Sequence, residues 1–215
     1  MTQREQQILD WITEDPMISQ EALAERAGIT RSSVAVHISN LMKKGHIVGR
    51  GYILPAGALA YLADHCTAPL LVDPVSTVKA EKVRPILGKL HTLKPNRLEA
   101  ELLSGVTVTD EASLYRAADT LLAAGLQRVF LSLGADGVLA ADHERKVHLH
   151  NLPARMVNTT GCGDAFMAAV ARAFLDGADL ETAAKRGLAA SAIAMESADT
   201  INPAMSLTAV AERIQ

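Results

Sequence analysis

The chain has 215 residues, enough for one or two domains, and its 21% charged and 49% apolar residues are typical of a soluble globular protein. A net charge of −3 argues against a general affinity for nucleic acid. Two cysteines suggest neither a disulfide framework nor a metal site. The start is polar and no run approaches the roughly 18 apolar residues of a membrane span. We therefore expect a cytoplasmic protein without a membrane partner.

Charge is distributed unevenly over the first 55 residues. Residues 1–26 carry six acidic and two basic side chains, whereas residues 27–55 carry four basic side chains and no acidic one. One face of a small N-terminal domain, residues 1–55, is therefore expected to be basic.

Three helices and a hairpin are predicted in this N-terminal domain. Apolar residues recur at helical spacing, and Ser19 and Thr30 stand where helix N-caps are expected. The last stretch alternates between residue types and contains glycines, which predicts a small β-hairpin. The predicted elements are helices over 3–14, 20–27 and 31–44 and a hairpin over 46–54.

This order of elements resembles that of bacterial winged helix-turn-helix regulators, most closely over residues 18–34. The resemblance implies that the third helix reads DNA bases while basic residues near the wing contact phosphates. The alternative is a three-helix domain used for protein contacts. The candidate DNA contacts are Arg31, Ser32, Ser33, Val36, His37, Asn40, Lys43, Lys44 and Arg50.

From residue 56 onwards short aliphatic strands alternate with helices, which predicts an α/β domain with a mostly parallel sheet covered by helices. Polar clusters follow three of the strands, at Asp73, residues 94–99 and residues 134–137, and ligands collect at such strand ends. The predicted helices span 56–66, 77–90, 96–103, 110–124, 164–176 and 179–197, the strands 69–73, 91–94 and 129–133, and a hairpin 138–150.

Residues 158–166 read Asn-Thr-Thr-Gly-Cys-Gly-Asp-Ala-Phe and lead into an apolar helix. Gly161 and Gly163 allow backbone N–H groups to converge, and the helix adds the positive end of its dipole, so we predict an anion site. Asp164 lies inside it, where a carboxylate typically takes a proton from a hydroxyl that attacks a phosphoryl group. The alternative is an ordinary acidic residue in a first helical turn. We also expect the helix N-terminus to lower the pKa of Cys162.

Residues 158–164 resemble the D-T-x-G-A-G-D signature of the PfkB/ribokinase family of carbohydrate and nucleoside kinases, with Asn158 in place of the first Asp and Cys162 in place of Ala. Residues 96–99 resemble its N-x-x-E motif and residues 132–137 its T/S-x-G-x-x-G turn. Residues 72–101 are similar to pseudouridine kinases and their helix-turn-helix-fused relatives. Each motif alone also fits an ordinary helix start or turn, but their order indicates this family over residues 57–205.

The resemblance implies a ribokinase-like three-layer domain that uses ATP and magnesium to phosphorylate an alcohol group of a sugar or nucleoside, with pseudouridine the closest acceptor. Some members also bind a monovalent cation near the glycine loop, where Asn158 removes one negative charge. The implied roles are catalytic base for Asp164, anion hole for Gly161, Cys162 and Gly163, nucleotide binding for Ser132, Gly134, Gly137, Ala190 and Ile193, and magnesium binding for Asn96 and Glu99.

A complete family member opens with a strand, a Gly-Gly signature and an acidic residue, and it carries a β lid. These features have no counterpart here, so residues 56–215 resemble only the C-terminal portion. Since a sheet without its first strands exposes an edge, we expect an internal truncation, or a homodimer or other partner that covers this edge. Three interpretations stay open: a kinase fused to a DNA-binding domain, a DNA-binding regulator whose kinase region only binds ligand or dimerises, and a decayed gene product.

Overall fold

The computed structural model describes residues 1–15, 18–47 and 57–214, and the chain divides into two compact units, Met1–Cys66 and Thr67–Gln215. Across these described ranges, no helix combines the length and apolar character needed to cross a membrane. The first unit contains α1 (Gln3–Glu14), α2 (Gln20–Ala27), α3 (Arg31–Lys43) and α4 (Gly57–His65).

Side-chain caps fix the starts of the first three helices. The Thr2 hydroxyl and the Glu5 carboxylate form a capping box at α1. Ser19 accepts the N–H of Ala22 at 3.0 Å, and Thr30 accepts the N–H of Ser33 at 3.2 Å, which confirms both predicted N-caps. The three helices enclose an aliphatic core of Ile8, Ile12, Ile18, Leu23, Val34, Ile38, Leu41 and Ile47. Residues 48–54 of the predicted hairpin lie outside the described ranges.

The second unit is an α/β domain with a mixed five-stranded sheet in the order β1-β2-β3-β4-β5. The first three strands are parallel, and the last two continue as an antiparallel hairpin, as predicted. The strands are β1 (Leu71–Val72), β2 (Thr92–Leu93), β3 (Arg128–Ser132), β4 (Val138–Asp142) and β5 (Lys146–Leu149). The helices are α5 (Thr77–Val83), α6 (Arg97–Ser104), α7 (Glu111–Ala123), α8 (Cys162–Leu175), α9 (Leu180–Met195) and α10 (Leu207–Ile214).

Proline shortens two of the predicted strands and divides a predicted helix. Pro74 and Pro95 lie just beyond β1 and β2 and have no N–H to donate to a neighbouring strand, so each strand ends early. The helix expected over 77–90 ends at Val83 and continues as a 3₁₀ helix, Arg84–Lys89, with Pro85 in its first turn. The α10 helix was not predicted.

Helices α8 and α9 pack closely on the sheet. A Cβ at Gly187 of α9 would lie 2.6 Å from the ring of Phe166 in α8, so this glycine permits the contact. The Phe166 ring meets Phe130 of β3 edge-on, with ring centroids 5.8 Å apart. The α8 helix begins two residues before its predicted start, which places Asp164 in its first turn.

Candidate active site

The glycine loop, residues 158–164, forms the N-terminus of α8. Gly161 is the N-cap with φ of +86°, a backbone conformation that L side chains rarely adopt, and a Cβ there would lie 2.7 Å from the Thr200 carbonyl oxygen. The N–H of Cys162 donates to Thr159 O at 3.3 Å, so the N–H groups of Gly163 and Asp164 are the ones that the helix leaves without an acceptor one turn earlier. They carry the positive end of the helix dipole. Asp164 is exposed in this first turn. The backbone therefore offers an anion site with a carboxylate inside it.

An ion pair lies directly against this loop. The Nζ of Lys94 is 2.8 Å from the Oδ2 of Asp73, and the two side chains are only 8% and 18% exposed. A Cβ at Gly163 would lie 3.4 Å from that Nζ and 3.8 Å from that Oδ2. Lys94 and Asp73 follow β2 and β1, so the parallel sheet brings them together at its carboxyl edge. From the sequence, Lys94 and Asp73 were predicted to be polar residues at strand ends, but neither was assigned a function.

Asn96 and Glu99 form a capping box at α6, so the simpler interpretation as a helix start is structurally correct. The Asn96 side chain accepts the N–H of Glu99 at 3.0 Å, and Glu99 Oε2 accepts the N–H of Asn96 at 2.9 Å. The second carboxylate oxygen, Glu99 Oε1, is buried and has no hydrogen-bond partner within the described chain. Burial raises the pKa of Glu99, and the negative charge of Asp73 adds to this effect.

The free oxygen of Glu99 suits a hard cation. Magnesium is often held by one or two carboxylates together with phosphate oxygens and water. In the ranges that the structure describes, no cluster of three or more His, Cys, Asp or Glu side chains is arranged for a metal ion. The donor set therefore fits magnesium that arrives with a nucleotide better than a resident metal enclosed by protein ligands.

The turn of residues 132–137 follows β3 and lies beside the start of α6. Ser132 pairs with Asn96 as an isolated parallel bridge, and its N–H donates to Pro95 O at 2.9 Å. Gly134 and Gly137 both have positive φ. A Cβ at Gly137 would lie 2.0 Å from Leu149 O, so no other residue fits there without moving the hairpin. The structure thus brings the Asn96 and Ser132 motifs together.

Two side chains that sequence reasoning missed hold these loops. The Asn151 amide donates to the carbonyls of Gly134 and Ala135 at 2.8 and 3.0 Å. The Ser191 hydroxyl of α9 donates to Cys162 O at 2.9 Å. Neither residue belongs to a local motif, since each acts across 16 or more positions of sequence.

The expectation for Cys162 was wrong. Burial raises the pKa of its thiol instead of the helix N-terminus lowering it. The Sγ atom lies 3.9 Å from Asn158 O, inside the loop, so desolvation of a thiolate outweighs the helix dipole.

The two predicted adenine contacts are buried in the interface between α9 and α10. Ala190 and Ile193 are 2% and 5% exposed and pack with Val210. Ala190 also lines a cavity of about 380 Å³ between α8, α9 and α10. The contact of either residue with adenine stays a prediction.

In the first unit, α3 exposes most of the predicted DNA contacts. Arg31, Ser32 and Lys43 are exposed, and Val36 is 59% exposed on the same helix. Ser33, His37 and Asn40 are partly exposed, and His37 Nδ1 is buried without a partner among the described residues. Arg50 lies outside the described ranges.

Lys44 differs from the other candidate DNA contacts because it is engaged within the unit. Its Nζ is 2.7 Å from Glu5 Oε2, and Glu5 is only 2% exposed. The hydrogen bond from Lys44, with one from the Thr2 N–H, lowers the pKa of Glu5 to about 2. Lys44 therefore joins the end of α3 to the start of α1.

Comparison with known proteins agrees with this geometry. Residues 56–207 match the pfkB family of carbohydrate kinases, and residues 1–48 match a winged helix-turn-helix DNA-binding family. Pseudouridine kinase of Escherichia coli is 34% identical over 191 residues, which are 85% of this chain and 61% of that protein.

Solved structures show the same fold. Ribokinase from Thermotoga maritima superposes with a TM-score of 0.65 at 28% identity, over 75% of this chain and 54% of that one. A carbohydrate kinase from Agrobacterium tumefaciens superposes with a TM-score of 0.60 at 30% identity, over 75% of this chain and 51% of that one. The chain thus spans between half and two thirds of the length of these relatives. It belongs to the pfkB family of carbohydrate kinases, and a winged helix-turn-helix domain precedes its kinase region.

Proposed function

We propose that residues 56–215 form the nucleotide-binding part of an ATP-dependent kinase that phosphorylates an alcohol group of a sugar or nucleoside, and that residues 1–55 bind DNA. The observation that carries the kinase proposal is the position of Asp164. Asp164 lies in the first turn of α8, three residues after the N-cap Gly161. The residue before it, Gly163, lies next to the ammonium of Lys94.

These groups can perform phosphoryl transfer as follows. The α8 N–H groups and Lys94 stabilise negative charge on the transferred phosphoryl group. Asp164 takes the proton of the acceptor hydroxyl while that oxygen forms a bond to the γ-phosphorus. The bond between the γ-phosphorus and the bridging oxygen breaks, and ADP leaves with the electron pair. Asp164 is exposed, so an acceptor can reach it.

Glu99 is the proposed magnesium ligand, with Asn96 positioning it through the capping box. Magnesium bound with ATP would neutralise charge on the phosphate oxygens. The turn at Ser132, Gly134 and Gly137 is the proposed neighbour of the nucleotide, because it lies next to Asn96.

Pseudouridine, or a related nucleoside or sugar, is the proposed acceptor. Support comes from the 34% identity to Escherichia coli pseudouridine kinase, although the alignment covers 61% of that protein. We also propose that acceptor contacts and a lid come from a second copy in a homodimer or from another partner.

The deciding experiment measures phosphate transfer from ATP and magnesium to a nucleoside and sugar panel that includes pseudouridine, with products identified by mass spectrometry. We expect a phosphorylated product from the wild-type chain and none from Asp164→Asn. Asp119→Asn is the matched control, since this aspartate lies on the surface of α7 paired with Lys146. Equal transfer by wild type and Asp164→Asn would refute the assignment.

A second candidate function is transcriptional regulation, with a kinase region that only binds ligand or dimerises. The exposed face of α3 and the winged helix match over residues 1–48 favour it. We expect the full chain to bind its upstream promoter DNA at low salt, with weaker binding by Arg31→Ala. Arg26→Ala, on α2, is the control. A flat binding isotherm at low salt would count against this function.

A further inference from the structure

We propose that the side-chain amide of Asn158 replaces a monovalent cation in this chain. This amide joins the glycine loop to residues 198–200, here called the segment after α9. It thereby lets the anion site form without potassium. The structural part of this inference concerns the loop alone, and only its consequence for catalysis rests on the proposed kinase activity.

The carbonyls at the end of α9 are where a cation would be attracted. The C-terminal end of a helix carries partial negative charge on its unpaired carbonyls, which favours a cation beside it. Here N–H groups already bind these oxygens. Met195 O accepts the backbone N–H groups of Val157 and Asn158 at 3.0 and 3.1 Å, and Ile193 O accepts the Asn202 amide at 2.6 Å.

The side chain of Asn158 completes this arrangement. Its Nδ2 donates to Ala198 O at 3.2 Å, and its Oδ1 accepts the N–H of Thr160 at 3.0 Å. Both ends of the amide therefore have the partner that their chemistry requires. One side chain holds the glycine loop on one side and the segment after α9 on the other.

An aspartate could not make the same pair of contacts. An ionised carboxylate only accepts hydrogen bonds, so its second oxygen would face Ala198 O with no proton between them. A cation between the two oxygens would resolve this repulsion, since potassium binds carbonyl and carboxylate oxygens. Asn158 and a bound cation are thus two alternative ways to join the same two segments.

Nearby negative charge is already balanced or in contact with water. Glu196 receives two hydrogen bonds from Arg213, at 2.7 and 3.1 Å, and one from the N–H of Arg155 at 3.2 Å. Asp199 is exposed to solvent, where water and salt screen it. The residues here therefore do not fit a monovalent cation site.

The contact also sets the position of the catalytic loop. A Cβ at Gly161 would lie only 2.7 Å from Thr200 O, so the loop and the segment after α9 are in direct contact. Since Gly161 is the N-cap of α8, any shift of this segment moves the N–H groups that would meet phosphate. Asn158 is accordingly a positioning residue.

The test compares the full chain in potassium chloride and in tetramethylammonium chloride at equal ionic strength, because the bulky organic cation cannot enter such a site. The first measurement is the melting temperature, which needs no nucleotide. We expect the wild-type chain to melt at the same temperature in both salts. We expect Asn158→Asp to melt at a lower temperature than wild type in tetramethylammonium and to regain stability in potassium.

Two further variants separate the cation from general effects. Asn158→Ala can neither donate to Ala198 O nor bind a cation, so it should lose the same stability in both salts. Gln127→Glu makes the matched amide-to-carboxylate change at the other end of β3, where the amide donates to Gly125 O. This side chain is exposed, so the carboxylate can turn into water, and the variant should show no response to potassium.

The second measurement is phosphate transfer from ATP, or ATP affinity, in the same two salts. Wild type should differ by less than about twofold between salts, and Asn158→Asp should gain a potassium dependence of about tenfold or more. Wild-type melting that rises with potassium but not with tetramethylammonium, and a response of Asn158→Asp equal to that of wild type, would each overturn the inference. Absent ATP binding in every salt would instead contradict the proposed kinase function, and the melting data would still decide the role of Asn158.

Discussion

The ammonium of Lys94 lies 2.8 Å from the carboxylate of Asp73, and both groups lie against Gly163 of the glycine loop. The carboxylate balances the charge of the Lys94 ammonium. It also holds this ammonium in one position next to the glycine loop. Lys94 is only 8% exposed and Asp73 only 18%, so both side chains have little freedom to rotate. The pair therefore couples the carboxyl edge of the sheet to the N-terminus of α8.

The first prediction concerns Gly163, which has no side chain to cover this ion pair. In Gly163→Ala, the new methyl group would lie 3.4 Å from Lys94 Nζ, in van der Waals contact, so it would occupy space beside the ammonium that a phosphate oxygen needs in the proposed reaction. We expect kcat/KM for phosphate transfer to fall about tenfold or more, with little change in the free energy of unfolding. Ala112→Ser, which enlarges an exposed position of α7, should keep wild-type kinetics. Full activity of Gly163→Ala would show that the contact does not matter.

The second prediction concerns the charge of Lys94. Lys94→Met leaves Asp73 without its cation, and we expect a loss of about 2–3 kcal/mol in the free energy of unfolding by urea, because Asp73 keeps some contact with water. The double variant Lys94→Met with Asp73→Asn should recover most of this stability but not phosphate transfer. Recovery of both would mean that the ion pair serves folding alone.

The third prediction follows from the raised pKa of Glu99. Burial raises this pKa above its ordinary value of 4.5, so the folded chain holds the proton more tightly than the unfolded chain. Below pH 4.5, Glu99 is protonated in both states and does not change the free energy of unfolding. As the pH rises from 4.5 through the folded pKa, Glu99 lowers the free energy of unfolding. Glu99→Gln keeps the capping box, so it should unfold at a higher urea concentration than wild type at neutral pH and at about the same one near pH 4.

Activity provides the contrasting measurement for Glu99. If its free oxygen holds magnesium, Glu99→Gln should lose phosphate transfer even though it is more stable. A variant that is stabilised and fully active would assign Glu99 to the capping box alone.

The fourth prediction separates two neighbouring lysines of the first unit. Glu5 has its pKa lowered from 4.5 to about 2, chiefly by the hydrogen bond from Lys44, so the stability it contributes is present above pH 4.5 and is lost as the pH falls through about 2. Lys44→Met should therefore lower the melting temperature of the first unit at neutral pH and flatten this acid-side dependence. Lys43→Met, at an exposed position, should weaken DNA binding without changing the melting temperature. Equal melting of both variants would contradict the assignment.

Much of the fold could be predicted from the sequence because its signals are local. Ser19 and Thr30 cap helices where the sequence places them, since an N-cap bonds to a residue two or three positions later. Helix α10 was missed although its signals are also local: Leu207, Val210 and Ile214 recur at helical spacing, and Ser206 accepts the N–H of Ala209 as a cap.

The candidate site was predictable in part, for the same reason. The glycine loop, the capping box at Asn96 and the turn at Ser132 are each contiguous in sequence. The contacts of Lys94 with Asp73 and of Ser191 with Cys162 join residues 21 and 29 positions apart, and only the folded chain shows them. Cys162 was misjudged because the burial of its thiol, with Sγ 3.9 Å from Asn158 O, appears only once the loop has folded.

The two ends of the β4–β5 hairpin lie at opposite sides of the sheet and make different contacts. At one end, Leu149 O fills the space beside Gly137 and Asn151 holds the turn at Gly134, so one residue deleted from β5 would displace both contacts at once. The other end, the connection over residues 143–145, lies at the far side of the sheet from that turn. A fluorescent label on the exposed side chain of residue 144, between His143, which contacts Leu126 O, and Arg145, which pairs with Asp179, should therefore leave the turn at Gly134 intact.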